Sequence, residues 1–425
     1  MAPRFVKRRR TVNLLGWPTD VVTVDPKLDH GDDTLLHTII VWVPGNPGQH
    51  DWYHFDFVAL LSGLGPGYCI RSLSHAGHGL KANRTSNGGD DHDNSHLEDQ
   101  PSPFRIDQDE TRSASPLISW TVEGQVLHKI AFIDSLLSST TEESRHKENN
   151  NQRVCRFETN PRFIFVGHSF GCHVVQRMCV LRSDILERTT GFLFLMPYIR
   201  TNPALSTERK KLNFGGCYPE YLISLGTKVS RTLRFIPEDV VRGLIRKGLQ
   251  GDSNENEDGN SDAESIANVT SKILRDPLFP RYFFELGTEE IRDIPNEIDT
   301  TALRLLSSRK PVLFQGATPE DTEFQAGASQ RRLICILYAD DDQWCPTVHG
   351  EEIGVLQSNN MLPLSIERTK ISGLRHDYVC QNQATRSEVY DWCISKIVRM
   401  NDSVRGKQTN SSPRTTNKQM LSSKL

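Results

Sequence analysis

Gly167-His168-Ser169-Phe170-Gly171 constrains this chain more than any other stretch. It follows the apolar run Phe163, Ile164, Phe165, Val166 and precedes Cys172, Val174, Val175, Met178, Cys179 and Leu181, which recur at roughly helical spacing. The order predicts a buried strand, a sharp turn and a helix, with the serine at the turn. Glycine is needed on both flanks, because a side chain at Gly167 or Gly171 would press on the neighbouring strand or helix. Such an elbow holds the hydroxyl out in a strained position. It also aims the first N–H groups of the helix, that of Phe170 first, at the place where an oxyanion would form.

The rest of the chain supplies the sheet this elbow needs. Residues 38–43 (Thr-Ile-Ile-Val-Trp-Val) form a continuous apolar, β-branched run, as in a parallel strand buried on both faces. It ends in Pro44-Gly45-Asn46-Pro47-Gly48, a rigid loop at the carboxyl end of a strand, where α/β sheets place their ligands. The backbone N–H of Asn46 is the expected second oxyanion donor. A helix carrying Trp52, Phe55, Val58 and Leu61 on one face, a strand over 68–73, a helix over 122–137 and strands over 163–166 and 191–197 continue the alternation. The histidines of Ser74-His75-Ala76-Gly77-His78-Gly79 are read as shaping the rim of the site, not as metal ligands. After residue 197 the rhythm stops and resumes with strands over 331–339 and 364–371 and a closing helix over 389–398. The fold class is therefore α/β, a mostly parallel, doubly wound sheet with a helical cap spliced in.

Composition locates what lies outside that core. Only 36% of the 425 residues are hydrophobic, and the deficit falls in polar segments. One domain over 31–400 is expected, preceded by a basic segment over 1–30 and followed by an unfolded tail over 401–425. A polar insertion covers 81–115; its Asp90, Asp91, His92, Asp93 and His96 read as a solvated charge cluster. A polar gap runs over 138–151. The cap spans 198–330 and includes an acidic, disordered run over 251–266. Within it, a helix from Pro237 carries Val240, Val241, Leu244 and Ile245 on one side and Arg242, Arg246 and Lys247 on another, a pattern suited to a phospholipid surface or to packing inside the cap.

The net charge of −3 gives no reason to expect nucleic acid as a partner. Nine cysteines without a C-x-x-C pair or zinc-type spacing read as reduced, buried side chains, and neither a metal nor a cofactor is expected. The basic N-terminus is followed by no long apolar stretch, and nowhere do 18 apolar residues run together, so contact with a membrane is expected to be peripheral.

A serine hydroxyl is a poor nucleophile at neutral pH and needs a general base, itself held by a third group. Later strand ends offer both: Asp340-Asp341-Asp342-Gln343-Trp344-Cys345-Pro346, and Gly373-Leu374-Arg375-His376-Asp377-Tyr378. Ser169, an aspartate and His376 thus follow in the order Ser, Asp, His. Asp342 is preferred to Asp340 and Asp341, because the D-x-x-x-P spacing to Pro346 suits a carboxylate just past the strand end. His168 is not assigned as the base, since adjacent side chains in a tight turn point apart.

The combination of Pro44-Gly45-Asn46-Pro47-Gly48, residues 74–79, residues 124–130, Gly167-His168-Ser169-Phe170-Gly171, residues 195–199 and Asp342-Gln343-Trp344-Cys345-Pro346 resembles the lipid-droplet-associated hydrolase family, a branch of the α/β hydrolases. The resemblance implies association with lipid droplets and the cytosolic face of the endoplasmic reticulum, and hydrolysis of neutral-lipid acyl or sterol esters through a Ser169–His376–Asp342 triad. It departs after the histidine, where Asp377-Tyr378 stands in place of the family's Ala-Phe. Two other functions fit the same residues: a droplet protein that organises stored lipid with little turnover, and a soluble esterase for small acyl groups.

Overall fold

The computed structural model describes residues 4–27, 36–53, 57–78, 121–146, 157–201, 219–250, 260–309, 331–342 and 344–405. The insertion over 81–115, the part of the acidic run over 251–259 and the tail beyond 405 lie outside the described residues. Eight strands form one sheet: β1 (Arg4–Leu14), β2 (Trp17–Lys27), β3 (Leu36–Val43), β4 (Tyr68–Leu73), β5 (Phe157–His168), β6 (Thr189–Leu195), β7 (Leu333–Asp341) and β8 (Ile366–Arg375). Their order is β1-β2-β4-β3-β5-β6-β7-β8. From β4 to β8 all pairings are parallel, while β1 and β2 form a hairpin that joins β4 antiparallel.

The apolar strands are buried on both faces, and strand periodicity divides them into two cores. Ile39, Val41, Val43, Phe163, Phe165, Phe192 and Phe194 face the helices α2 (Val122–His146) and α3 (Phe170–Leu181). Ile40, Trp42, Ile164, Val166, Leu193 and Leu195 face α1 (Phe57–Leu64) and the C-terminal helix, Gln383–Arg405. A short helix, α4 (Ser183–Glu187), precedes β6. Four helices form the cap: α5 (Pro219–Leu233), α6 (Glu238–Gln250), α7 (Asn260–Leu274) and α8 (Phe279–Asp293). The next helix, α9 (Thr300–Ser307), already packs on the sheet layer through Leu303 and Leu306, so the cap ends well before residue 330. Beyond β7 come α10 (Val348–Ser358) and the closing helix, α11.

Several boundaries differ from the sequence expectation, each for a physical reason. The basic N-terminal segment is not separate from the domain: its hairpin turns at Leu15 and Gly16, both at positive φ, and Val21, Val22 and Val24 are buried against β4. Its charges concealed the strand because Arg9 turns inward to ion-pair with Asp20 at 2.7 Å and also with Asp51. Of the helix expected from Trp52, the described part is Phe57–Leu64; Phe55 lies outside the described residues, and Trp52 itself sits in a single 3₁₀ turn, His50–Trp52. Helix α2 continues to His146, into the polar gap, and α11 to Arg405, into the expected tail. Helix α7 starts at Asn260, inside the acidic run, because Glu264 ion-pairs with Arg242 at 2.7 Å and Arg246 at 3.1 Å on α6. The two arginines of the basic helix therefore face α7 within the cap. No helix among the described residues is long and apolar enough to cross a membrane.

Candidate active site

Strand β5 delivers Ser169 to the carboxyl edge of the sheet, and α3 starts at the next residue. Ser169 has φ 50° and ψ −122°, a conformation that L residues avoid unless the surroundings impose it. Here they do: its N–H donates to Leu195 O at 2.9 Å, and its own carbonyl accepts from Cys172 N–H and Tyr198 N–H at 3.0 and 3.1 Å. Space demands the two glycines, since a Cβ on Gly171 would stand 2.3 Å from Val43 O and one on Gly167 2.8 Å from Cys172 N.

Ser169 Oγ lies 2.9 Å from His376 Nε2, and His376 Nδ1 lies 2.9 Å from Asp342 Oδ2. A carboxylate only accepts, so Nδ1 carries the proton and Nε2 is free to take one from the serine. Asp342 Oδ1 accepts from Trp344 N–H at 2.8 Å and Cys345 N–H at 2.7 Å, which explains why the aspartate is followed at this spacing by a tight turn. Burial pushes the Asp342 carboxyl up, but the His376 ring and the N–H groups of Cys345 and Trp344 outweigh it, so it sits below its ordinary value. Asp340 is turned to the opposite side, ion-paired with Lys370 and accepting from Ser372 Oγ at 3.2 Å. Asp341 is the last residue of β7, paired in register with Arg375. Cys345 brings a third ligand-type atom within 4.8 Å of Asp342 and His376, but both carboxylate oxygens are already engaged in hydrogen bonds.

The Pro44-Gly45-Asn46-Pro47-Gly48 loop lies directly against the elbow: a Cβ on Gly45 would be 2.8 Å from Ser169 Cβ. The loop closes on itself through Gly48 N–H to Gly45 O at 2.6 Å. Asn46 reaches the cap, its Nδ2 donating to Phe283 O on α8 at 3.1 Å. Phe170, as the first residue of α3, has an N–H that the helix cannot use internally. His75 and His78 are buried behind this loop, His75 edge-on to Phe170 with ring centroids 5.4 Å apart and His78 stacked on Tyr282 of the cap at 4.8 Å.

His168 points away from the serine hydroxyl: Nδ1 is 2.7 Å from Tyr53 Oη and Nε2 is 3.0 Å from the carbonyl oxygen of His376. Burial, and secondarily the nearby His376, push its pKa down to about 3, so the ring is neutral. Tyr53 and Tyr378 both pack on this ring edge-on, at 5.6 and 5.4 Å. Neither tyrosine is marked by the sequence pattern. Tyr53 lies in a loop without periodicity, and Tyr378 stands out only as a departure from the family's usual residues after the histidine.

A largely parallel sheet, a serine on a strained strand-to-helix turn, and Asp342 and His376 at the ends of later strands together define an α/β-hydrolase. The chain belongs to the lipid-droplet associated hydrolase family, whose model matches residues 37–379. It is 23% identical over 396 residues to the lipid droplet-associated hydrolase of Gallus gallus, covering 91% of this chain and 94% of that protein. Among solved structures it is similar to an epoxide hydrolase from Vigna radiata (12% identity, TM-score 0.47, covering 92% of this chain and 98% of that one). A similar likeness links it to a carboxylesterase of Nitrososphaera gargenis (12% identity, TM-score 0.46, covering 93% and 99%). At that level these two structures say nothing about activity.

Proposed function

We propose that the protein is a serine ester hydrolase that cleaves neutral-lipid acyl or sterol esters at a lipid surface. The observation that carries this reading is the continuous hydrogen-bond path from Ser169 Oγ through His376 to Asp342. Ser169 Oγ attacks the acyl carbonyl while His376 Nε2 takes its proton, and Asp342 balances the imidazolium that forms. The N–H groups of Phe170 and Asn46 hold the oxyanion. His376 then protonates the departing alcohol, an acyl-enzyme remains, and a water activated by the same histidine releases the fatty acid.

Membership of the lipid-droplet associated hydrolase family supports residence at lipid droplets; a lipid-ester substrate and peripheral residence on the cytosolic face of the endoplasmic reticulum belong to the proposal. The cap supports it physically. Tyr221, Leu225 and Val229 recur every fourth residue on α5, and Phe235, Val240 and Leu244 follow, all largely exposed. Lys228, Arg231, Arg234 and Lys247 are exposed among them, so the ridge pairs apolar side chains with cations, as an anionic phospholipid surface requires. A second reading, lipid organisation with little turnover, is favoured by one observation: Ser169 is only 8% exposed.

A fluorophosphonate probe tests the reading. Wild type should be labelled and should release fatty acid from emulsified triacylglycerol or cholesteryl ester, and Ser169→Ala should do neither. Absent labelling of wild type, or equal labelling of Ser169→Ala, removes the enzyme reading; labelling without lipid hydrolysis favours the second.

A further inference from the structure

We propose that Tyr53 and His168 form one positioning relay that fixes the base His376 relative to the Pro44-Gly45-Asn46-Pro47-Gly48 loop. The inference rests on the hydrolase reading above. Three hydrogen bonds make up the relay: Gly45 N–H to Tyr53 Oη at 3.3 Å, Tyr53 Oη to His168 Nδ1 at 2.7 Å, and His168 Nε2 to His376 O at 3.0 Å.

Chemistry fixes the direction of every proton in it. The His376 carbonyl can only accept, so His168 carries its proton on Nε2. In a neutral ring Nδ1 is then an acceptor, and the Tyr53 hydroxyl must donate to it. The phenolic oxygen is left to accept the Gly45 N–H. The tautomer is thus determined without ambiguity, and burial keeps the ring neutral, with its pKa pushed down to about 3. Only the Tyr53–His168 bond could run the other way, and reversing it would strip Nε2 of its proton and break the bond to His376 O.

What the relay joins matters for the reaction. Gly45 adjoins the expected oxyanion donor Asn46, His168 adjoins Ser169, and the accepting carbonyl belongs to His376 itself. Three loops, following β3, β5 and β8, are held in one frame without any relay atom touching Ser169 Oγ. The anchor is rigid: Tyr53 is 3% exposed, its carbonyl accepts from Tyr390 Oη on α11 at 3.3 Å, and its ring lies 6.0 Å from that of Trp42. Tyr378, two residues beyond His376, packs edge-on against the His168 ring at 5.4 Å and against the Tyr53 ring at 6.4 Å. The histidine beside the nucleophile is therefore no base itself; it holds the base in place.

Steady-state hydrolysis of p-nitrophenyl butyrate by full-length protein, with thermal melts as a folding control, tests the relay. His168→Leu removes both bonds of the ring and should lower kcat about 10- to 100-fold, with KM essentially unchanged. His168→Gln can place its amide N–H near the Nε2 position and donate to His376 O, and should recover most of that loss. Tyr53→Phe deletes one oxygen and should lower kcat by about tenfold, and the double variant Tyr53→Phe/His168→Leu should be no slower than His168→Leu within about twofold. Equal losses in His168→Leu and His168→Gln, multiplicative effects in the double variant, or a change confined to KM would overturn the relay. If His168→Leu does not fold, Tyr53→Phe and His168→Gln decide alone: a normal kcat for Tyr53→Phe, or an inactive but folded His168→Gln, overturns it. A wild type that neither labels nor hydrolyses removes the hydrolase reading and the relay with it; a wild type that labels beside an unaffected His168→Leu removes the relay alone.

Discussion

Three consecutive aspartates run across the end of β7, the third just beyond it, and only their surroundings tell them apart. Asp342 is buried, faces His376 and accepts two backbone N–H groups, whereas Asp340 is held outside by Lys370 and Ser372. Asp342→Asn cannot hold the required tautomer of His376 and should reduce kcat by about 10³- to 10⁴-fold while the melting temperature stays near that of wild type. Asp340→Asn should leave kcat unchanged, and steady-state kinetics of both variants check the assignment. At this scale much was legible: the G-x-S-x-G elbow, the order Ser, Asp, His and the spacing from Asp342 to Pro346 follow from adjacent residues. Tyr53 was not legible, because its contact with His168 spans 115 positions and no local periodicity marks it.

Elements were legible in proportion to how far their side chains are buried. Strands β3, β5, β6 and β7 are apolar on both faces and stood out as continuous runs. Strand β8 is half exposed and charged, so its last residues, which lead directly to His376, were not seen as strand. Helix α6 was located, yet the roles of its faces were only half read: Arg242 and Arg246 join the cap through Glu264, while Val240 and Leu244 remain outside. A charge at the apolar ridge should therefore weaken lipid binding without touching the site. Phe235→Glu and Leu244→Glu together should lower the fraction that floats with phosphatidylserine-containing vesicles by about tenfold or more, as removing two exposed apolar side chains from the lipid contact implies. Turnover of p-nitrophenyl butyrate should be unaffected. Undiminished flotation would place the lipid contact elsewhere.

For the molecule as a whole, buried imidazoles set the response to acid. His50, His75, His128, His168 and His173 are all buried, and burial pushes each pKa down, to about 3 for His168 and His173. Below the ordinary imidazole value the unfolded chain binds protons that the folded one refuses. Stability is therefore greatest above that value and is lost as pH falls, by about 1.4 kcal/mol per pH unit for each such ring. The melting temperature should drop continuously from pH 6.5 to 4, as a pH series by scanning fluorimetry would show; a flat profile from pH 7 to 5 would contradict it. The N-terminal hairpin has a consequence of its own at this scale. A sheet ending at β4 would offer a bare, apolar strand to which any second chain could add. Strands β1 and β2 cover it, and the new border carries Lys7, Arg8 and Arg10, exposed cations that resist further pairing. The opposite border, β8, is studded in the same way with Glu367, Arg368 and Lys370. The basic run over 7–10 thus guards the β1 border of the sheet against strand addition, as the charges of β8 do at the other border.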